Sequence, residues 1–351
     1  MGLQKKIDEE LRQDKMDHLK EQINSVIYGL AIGDALGVPV EFNERDTYHI
    51  TKMEGYGTYN QPPGTWSDDT SLTLALVEHL SEKSDLSGLM DKFVAYRQGY
   101  LTPFGTCFDI GIATNQAIER YLSGVSPEEC GGRGERDNGN GALMRIAPLA
   151  FVLKDRGDFT ENCEKIEKYT QLTHAHPRSL VASIIYVQIL IDLLFNKSLE
   201  ETMEDLQPLL KDYLRANSEY WKEYQDQFRE LFDKDFYQKQ REEIMSTGYV
   251  VDSLKASLWC LGTTETFEGA ALKAVNLGND TDTIGGITGS FAGALYKLEG
   301  IPDKWGQQLV NRELIDEKCQ KLIECLGQLD LFMNVEYLLS LLDDLAEKNF
   351  Y

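Results

Sequence analysis

The stretch YGLAIGDALG, Tyr28–Gly37, carries glycine at every fourth position, at Gly29, Gly33 and Gly37. In a helix, this spacing places the three glycines on one face. Glycine inside a helix costs roughly 1 kcal/mol relative to alanine, so three glycines on one face need a structural reason. Close packing of another backbone against that face is the natural reason. The stretch therefore predicts a helix that is tightly packed against a partner.

A second stretch, IGGITGSFAGALY (Ile284–Tyr296), repeats the pattern with Gly285, Gly289 and Gly293. These glycines also share one helical face. Because both stretches offer a face without side chains, we expect the two helices to lie near each other at a central crevice.

The remaining sequence favours helices over strands. In the segment SLTLALVEHLSE, Leu72, Ala75, Leu76 and Leu80 recur with a helical period. The long apolar run SLVASIIYVQILIDLLF, Ser179–Phe195, is too long for a typical strand, and we interpret it as a buried helix. Long segments that alternate with the period of two typical of strands are almost absent. The predicted fold class is all-α, with one compact domain.

The distribution of charge divides the chain into three parts. Residues 1–22 are charged throughout and predict a polar N-terminal arm or a short surface helix. Residues 23–351 are interpreted as a single domain. Within it, residues 196–247 are dense in Lys, Glu, Asp, Gln and Tyr, with apolar positions at helical spacing. We interpret this segment as a charged helical insertion.

The net charge excludes some classes of partner. The 351-residue chain has a formal net charge of -23, whereas general nucleic-acid binding depends on basic side chains that neutralise phosphates. An anionic membrane surface is disfavoured for the same reason. No apolar stretch approaches about 20 residues, and the charged N-terminus lacks the apolar core of a secretory signal. Six scattered cysteines without a C-x-x-C pair favour reduced thiols and a cytoplasmic protein.

Adjacent carboxylates stand at the start of one predicted helix. In GTWSDDTSLTLAL, Ser67, Asp68 and Asp69 directly precede an apolar, helix-like run. One interpretation is a helix cap, in which Ser67 is the N-cap and the acids face the positive end of the helix dipole. The other is a metal site, because a cation relieves the repulsion between neighbouring carboxylates.

A second acidic cluster strengthens the metal interpretation. In NLGNDTDTIGG, Asp280, Asp282 and Thr283 again directly precede a glycine-striped helix. A third acidic element contains Asp34 and Glu41, and Glu41 follows a proline turn among apolar residues. Clusters that contain only oxygen ligands suit Mg²⁺ or Mn²⁺, whereas zinc prefers His and Cys. The set is too large for one ion and fits two, as in two-metal hydrolytic sites.

Several motifs in a fixed order resemble the ADP-ribosylglycohydrolase family, which includes the dinitrogenase-reductase-activating glycohydrolase. The resemblance covers about residues 23–300, interrupted by residues 196–247. The motifs that carry it are GLAIGDALGVPVEF, GTWSDDTSLTLAL, TCFDIG, NGNGALMRIAPLA, THAHPRS, GYVVDSLKASLWC and AVNLGNDTDTIGGITGSFAGALY. Ser67 stands where threonine is frequent in the family, and Asn279 where glycine is frequent.

The resemblance implies a compact orthogonal α-helical domain with two divalent cations, Mg²⁺ or Mn²⁺, in a cleft. The implied reaction is hydrolysis at C1 of the distal ribose, which releases ADP-ribose from a modified acceptor. The metal ligands that carry over by match are Ser67, Asp68, Asp69, Asp280, Asp282 and Thr283, with Glu41 near the pair of ions. We assign catalysis to Glu41, Asp68 and Asp282. Our hypothesis gives Glu41 the role of steering or deprotonating the attacking water.

The resemblance also implies a substrate-binding surface. The glycine-rich segment NGNGALMR would lie along the diphosphate and distal ribose, while a plain glycine turn is the alternative. Asp109 in FGTCFDIG either contacts substrate or caps the next helix, and His174 in THAHPRS either lies near the ligand or is structural. The implied substrate-binding residues are Asp109, Asn138, Gly139, Asn140, Gly141 and His174. His176 is interpreted as a structural residue. Trp66 is interpreted either as a residue of the hydrophobic core or as part of the wall of the cleft.

The expected partner is an ADP-ribosylated protein or a small ADP-ribose adduct. We favour arginine as the acceptor, while serine, nucleic-acid and other linkages stay open, as does the choice between Mg²⁺ and Mn²⁺. A catalytically silent ADP-ribose-binding or structural protein is one alternative. A nucleotide-sugar glycosyltransferase that uses Asp280-Thr281-Asp282 as a metal-binding D-x-D motif is another. That motif normally ends a strand of an α/β domain, whereas here it precedes a predicted helix.

Overall fold

The computed structural model describes residues 2–153 and 159–328. Helices dominate these residues, and no β-strand occurs among them; only isolated bridges such as Gly139–Tyr249 are present. The all-α prediction is therefore confirmed. The helices in chain order are α1 Gly2–Gly37, α2 Asp68–Glu82, α3 Leu86–Tyr96, α4 Ile112–Leu122, α5 Leu149–Val152, α6 Phe159–Gln171, α7 Pro177–Leu194, α8 Leu199–Arg215, α9 Ser218–Glu223, α10 Val250–Gly262, α11 Phe267–Val275, α12 Thr281–Tyr296, α13 Asp303–Gln308 and α14, residues 312–328.

The two glycine-striped helices, α1 and α12, pack directly against each other. A Cβ atom on Gly33 would overlap the carbonyl oxygen of Gly285, and one on Gly29 would overlap that of Gly289. Gly37 meets the backbone of Asp282 in the same way. Because no side chain separates the two backbones, the end of α1 lies against the start of α12, where the second acidic cluster lies.

The predicted buried helix is α7, which is buried from Arg178 to Leu194. Helical segments at Arg12–Val40 and Pro177–Leu194 are long and apolar enough to cross a membrane, but each has 94% of its apolar window inside the protein. Core helices of a folded domain have this property. All six cysteines are free thiols.

The predicted N-terminal arm and insertion have defined positions. From Gly2, residues of the predicted arm form the first part of α1. Residues 196–247 contain α8 and α9, followed by short 3-10 turns and one π-helical turn. Their apolar side chains Leu206, Leu210, Tyr224 and Phe228 are buried. This segment therefore packs on the domain through an apolar face, as amphipathic helices do.

Candidate metal centre and active site

The first acidic cluster is built on the N-terminus of α2. Ser67 is the N-cap, and its hydroxyl oxygen accepts a hydrogen bond from the Asp69 N–H group at 3.3 Å. Asp34 from α1 fixes the same turn, because its carboxylate accepts the N–H groups of Ser67 at 3.0 Å and Thr70 at 3.1 Å. The capping interpretation is thus correct, but Asp34 shares the capping role and leaves Asp68 and Asp69 for other contacts.

The second cluster lies on the N-terminus of α12, and Asp280 is its N-cap residue. The Thr283 hydroxyl donates to Oδ2 of Asp69 at 3.2 Å, and the Ser67 hydroxyl donates to the same oxygen at 3.3 Å. The Thr283 N–H group donates to Asp282 Oδ1 at 2.8 Å. Asp69 therefore joins two helix starts that are more than 200 residues apart in the sequence.

A third group of carboxylates closes the site. One oxygen each from Glu41, Asp109 and Asp282 lie within 4.8 Å of one another. The Gly111 N–H group donates to Oδ2 of Asp68 at 3.2 Å. Asp109 was expected to contact substrate or to cap the next helix; it lies inside the carboxylate cluster, and Gly111 is the N-cap of α4.

Burial and mutual repulsion make this cluster electrostatically unusual. Burial, together with the neighbouring Asp109 and Asp280, raises the pKa of Glu41 to about 8. Burial also raises the pKa values of Asp68, Asp69 and Asp282 well above the ordinary carboxyl range, and neighbouring carboxylates add to the effect. A carboxyl group in this setting is either protonated or stabilised by a cation.

The cluster fits divalent cations on two further observations. Oε2 of Glu41 and Oδ1 of Asp69 are buried without a hydrogen-bond partner. These two oxygens lie within a group of mutually repelling carboxylates, where a bound cation would supply the missing partner. All candidate donors are carboxylate or hydroxyl oxygens, which suit Mg²⁺ or Mn²⁺. The residues that fit such ions are Glu41, Ser67, Asp68, Asp69, Asp109, Asp280, Asp282 and Thr283.

The glycine-rich segment meets the cluster at Asp280. The side-chain amide of Asn140 donates to Asp280 Oδ2 and to the Ser253 hydroxyl oxygen, each at 2.8 Å. The Asn140 N–H group donates to the carbonyl oxygen of Gly248 at 3.1 Å. A Cβ atom on Gly248 would lie 2.8 Å from Asp280 Oδ2. Asn140 therefore orients one acidic side chain and anchors its own loop.

The other predicted substrate residues surround the same loop. The Asn138 side chain accepts the Ser179 hydroxyl at 3.1 Å, so this amide is held by the fold. Positions Gly139 and Gly141 face the buried ring of His174, whose Nε2 would lie 3.6 and 3.5 Å from Cβ atoms built on them. Burial, followed by Arg145 and Arg120, lowers the pKa of His174 to about 3. His174 therefore lies beneath the loop as a neutral ring.

Two interpretations of single residues are settled by contacts. The His176 side chain accepts the Arg178 N–H group at 3.1 Å and caps α7, so its structural assignment is confirmed. Trp66 is fully buried and donates to the carbonyl oxygen of Val310 at 2.8 Å, as a core residue does.

Sequence reasoning missed several contributors. Tyr59, Gly111, Gly248 and Ser253 touch the carboxylates or the residues that hold them. Gly111, Gly248 and Ser253 lie within the motifs TCFDIG and GYVVDSLKASLWC but were given no role of their own, and Tyr59 lies outside every motif. Only their contacts in space identify them. The sequence did indicate a role for Asp34, because a carboxylate on a helix that is expected to be buried must have hydrogen-bond partners inside the protein.

The chain is similar to known proteins over most of its length. The family model ADP-ribosylglycohydrolase matches residues 15–331. The ADP-ribosylarginine hydrolase Tri1 of Serratia proteamaculans is 34% identical over 308 residues, which cover 86% of this chain and 79% of the relative. The ADP-ribosyl-dinitrogen reductase glycohydrolase of Rhodospirillum rubrum is 29% identical over 297 residues, which cover 82% of this chain and 90% of the relative.

A solved structure shares the fold. It is described as an ADP-ribosylglycohydrolase-related protein complex, and it superposes with a TM-score of 0.72 at 30% sequence identity. The match covers 88% of this chain and 99% of that one.

Proposed function

Because the chain belongs to the ADP-ribosylglycohydrolase family and is a glycohydrolase that acts on ADP-ribosyl bonds, we propose that its substrate is ADP-ribosyl-arginine on protein and that two Mg²⁺ or Mn²⁺ ions assist it. One observation carries the proposal. Carboxylates from three distant segments, Glu41, Asp109 and Asp282, converge within 4.8 Å. The name of the Serratia relative, an ADP-ribosylarginine hydrolase, supports arginine as the acceptor.

The proposed reaction breaks the bond between C1 of the distal ribose and a guanidinium nitrogen. Water supplies the new oxygen on C1, and the products are ADP-ribose and the free arginine side chain. Bound divalent cations would polarise the ribose hydroxyl groups and lower the pKa of water. Ser67, Asp68, Asp69, Asp280, Asp282 and Thr283 would hold them, with Asp109 adjacent.

Glu41 is the residue best placed to handle the proton. Its Oε2 is buried and has no hydrogen-bond partner in the protein. Once cations occupy the site, their positive charge would keep the Glu41 carboxyl group ionised, so that it could accept a hydrogen bond from the attacking water. A carboxylate oxygen of Asp282 lies within 4.8 Å of the Glu41 carboxyl group. A proton that Glu41 takes from water then balances the one that the departing guanidine nitrogen needs.

The substrate would lie along the glycine-rich loop. Gly139 and Gly141 pack against the His174 ring on the side where a Cβ atom would stand, so the loop is held in place and a ligand would lie on its opposite side. Asn140 ties the loop to Asp280 at 2.8 Å. A diphosphate and ribose on this loop would therefore bring C1 towards the carboxylates.

The glycosyltransferase alternative loses its structural basis. A D-x-D motif of that class ends a strand, whereas Asp280 and Asp282 lie at the start of α12 and the described residues form no strand. The catalytically silent alternative is tested by activity.

The decisive experiment is a panel of substrates linked through arginine, serine and nucleobase, each incubated with Mg²⁺, with Mn²⁺ and with EDTA. We expect release of ADP-ribose from the arginine linkage, and loss of turnover in EDTA. The variant Asp282→Ala should lose both turnover and Mn²⁺ binding in calorimetry. Turnover that is unchanged in EDTA would refute the metal proposal. Turnover confined to another linkage would refute the arginine assignment.

A further inference from the structure

A band of apolar side chains borders the carboxylates on the side of Glu41 and Asp109. We call Phe42, Tyr59, Phe108 and Ile112 the apolar rim. Phe42 and Ile112 are 67% and 79% exposed, although both are large and apolar. Single exposed apolar residues are common on protein surfaces, but the rings of Phe42, Tyr59 and Phe108 form a contiguous group beside the carboxylates, which marks a binding surface. Ile112 is joined to this group through the backbone of residues 109–111.

The rim is continuous with the site through direct contacts. The Tyr59 ring lies between the other two aromatic rings, with its centroid 5.2 Å from that of Phe108 and 6.5 Å from that of Phe42. Thr58, directly before Tyr59, donates its hydroxyl group to the backbone carbonyl oxygen of Glu41 at 2.7 Å, which ties the rim to the site. Any group that covers this rim therefore lies next to the reacting centre.

Chain connectivity fixes the rim to the catalytic side chains. Phe42 directly follows Glu41, and Phe108 directly precedes Asp109. Ile112 is the first residue of α4 and follows Gly111, whose N–H group holds Asp68 at 3.2 Å.

The backbone holds Phe42 outward. Its φ angle is 63°, in the left-handed region that a bulky residue adopts only at an energetic cost. Its N–H group donates to the carbonyl oxygen of Asn279 at 2.6 Å, and the Asn279 N–H group donates to the carbonyl oxygen of Asn43 at 2.9 Å. Such strain persists only where surrounding contacts enforce it, and it clusters at functional sites. Phe42 is therefore a fixed, exposed aromatic group beside the catalytic carboxylates.

The position of the rim indicates its occupant. The ADP-ribose half of the substrate is assigned to the glycine-rich loop, which touches the carboxylates through Asn140 and Asp280. The apolar rim instead adjoins the carboxylate cluster at Glu41 and Asp109, the chain neighbours of Phe42 and Phe108. The acceptor arginine leaves from C1, so its polypeptide emerges past the carboxylates. Exposed aromatic and branched aliphatic side chains suit contact with a polypeptide.

We propose that the apolar rim docks the polypeptide that carries the ADP-ribosyl-arginine, so that the enzyme distinguishes a modified protein from the free modified amino acid. This inference rests on the proposed function. Phe42 and Ile112 make the docking contact, while Tyr59 and Phe108 support Phe42 from beneath.

The test compares two substrates. One is a folded protein that is mono-ADP-ribosylated on arginine, and the other is free ADP-ribosyl-arginine. The variants are Phe42→Asn, because asparagine tolerates the left-handed backbone, Ile112→Ser, and the double variant. The control is Phe195→Ser, which removes a comparably exposed phenylalanine, 51% exposed, at the end of α7.

We expect the double variant to lower kcat/KM on the protein about tenfold or more, mainly through KM, with free ADP-ribosyl-arginine turnover within twofold of the wild type. Phe195→Ser should change neither rate. Equal losses on both substrates would overturn the proposal, because the rim would then bind the ADP-ribosyl-arginine moiety itself. Unchanged turnover of the protein would also overturn it. If the wild type cleaves neither the modified protein nor free ADP-ribosyl-arginine, the proposed function fails instead.

Discussion

The carboxylate of Asp34 accepts hydrogen bonds from both the backbone N–H and the hydroxyl group of Thr70, at 3.1 and 2.6 Å. Burial raises the pKa of Asp34 to about 6, although these hydrogen bonds act in the opposite direction. Asp34 lies on α1, which also packs backbone to backbone against α12. One helix therefore sets the positions of both acidic helix starts.

Replacing Asp34 with asparagine should loosen the start of α2. The new side-chain amide would direct N–H groups at backbone donors, leaving buried groups unpaired. We expect Asp34→Asn to lower the free energy of unfolding by about 2–4 kcal/mol in urea, and to weaken Mn²⁺ binding. Asp85→Asn is the control, because Asp85 caps α3 at an exposed position through the Gly88 N–H group, and asparagine caps equally well. A loss below about 1 kcal/mol would contradict this role.

Alanine should change stability in opposite directions at Gly33, in the glycine stripe of α1, and at Gly306, in α13. Glycine to alanine normally stabilises a helix interior by up to about 1 kcal/mol. At Gly33, however, the added methyl group would collide with the Gly285 carbonyl oxygen and separate α1 from α12. We expect Gly33→Ala to destabilise the protein by about 1–3 kcal/mol, whereas Gly306→Ala, where a Cβ atom meets nothing within 4 Å, should be neutral or stabilising. Equal thermal midpoints for the two variants would refute the packing account.

The proton-transfer role of Glu41 can be separated from the general effect of removing a carboxylate from this part of the chain. We expect Glu41→Gln to lower kcat by at least about 100-fold, within the range of general acid–base contributions. Glu44→Gln removes an exposed carboxylate three positions further along and should leave kcat unchanged. Single-turnover kinetics on ADP-ribosyl-arginine would measure both. Retention of activity within a few-fold in Glu41→Gln would show that another group handles the proton.

Without a cation, the acidic cluster should make stability depend on pH. Burial raises the pKa of Glu41 from its ordinary 4.5 to about 8. Between these values the folded state holds a proton that the unfolded state has lost, so the free energy of unfolding falls as pH rises. We expect wild-type protein in EDTA to lose stability from about pH 5 to 8, and Glu41→Gln to lose less. Saturating Mn²⁺ should reverse most of the loss at the upper end of this range. A metal-independent profile would argue against a cation site.

His174 should be neutral at all working pH values, in one tautomer. Arg145 donates to the Thr173 hydroxyl oxygen at 2.8 Å, and that hydroxyl lies 2.9 Å from His174 Nδ1. Since arginine only donates, the Thr173 proton is available to Nδ1, which leaves the ring proton on Nε2. Nitrogen NMR from about pH 8 to 5, with His174→Gln for assignment, should show an unchanged Nε2–H ring because its pKa is about 3. Titration within this range, or the Nδ1–H form, would contradict the network.

Local sequence patterns predicted the helical fold and most of the candidate site. The glycine stripes of α1 and α12 were interpreted as facing surfaces, and Gly33 does meet Gly285. A glycine stripe is informative because glycine at every fourth position lowers the stability of a helix, and close packing against a second backbone is one of the few arrangements that compensate for this cost. For Asp109 the sequence left substrate contact and a helix cap open and did not predict a place in the carboxylate cluster, because a residue just before a helix has the same local pattern in each case.

The sequence by itself determined that this chain is helical, acidic and supplied with oxygen ligands at two helix starts, because periodicity and capping are properties of neighbouring residues. Only the tertiary structure decided that Asp69 bridges to Thr283, that Asp34 caps a helix other than its own, and that Glu41, Asp109 and Asp282 share one site. Electrostatic and hydrogen-bond energies depend on distance in space. Side chains far apart in the sequence acquire a common chemistry only after packing brings them within a few ångströms.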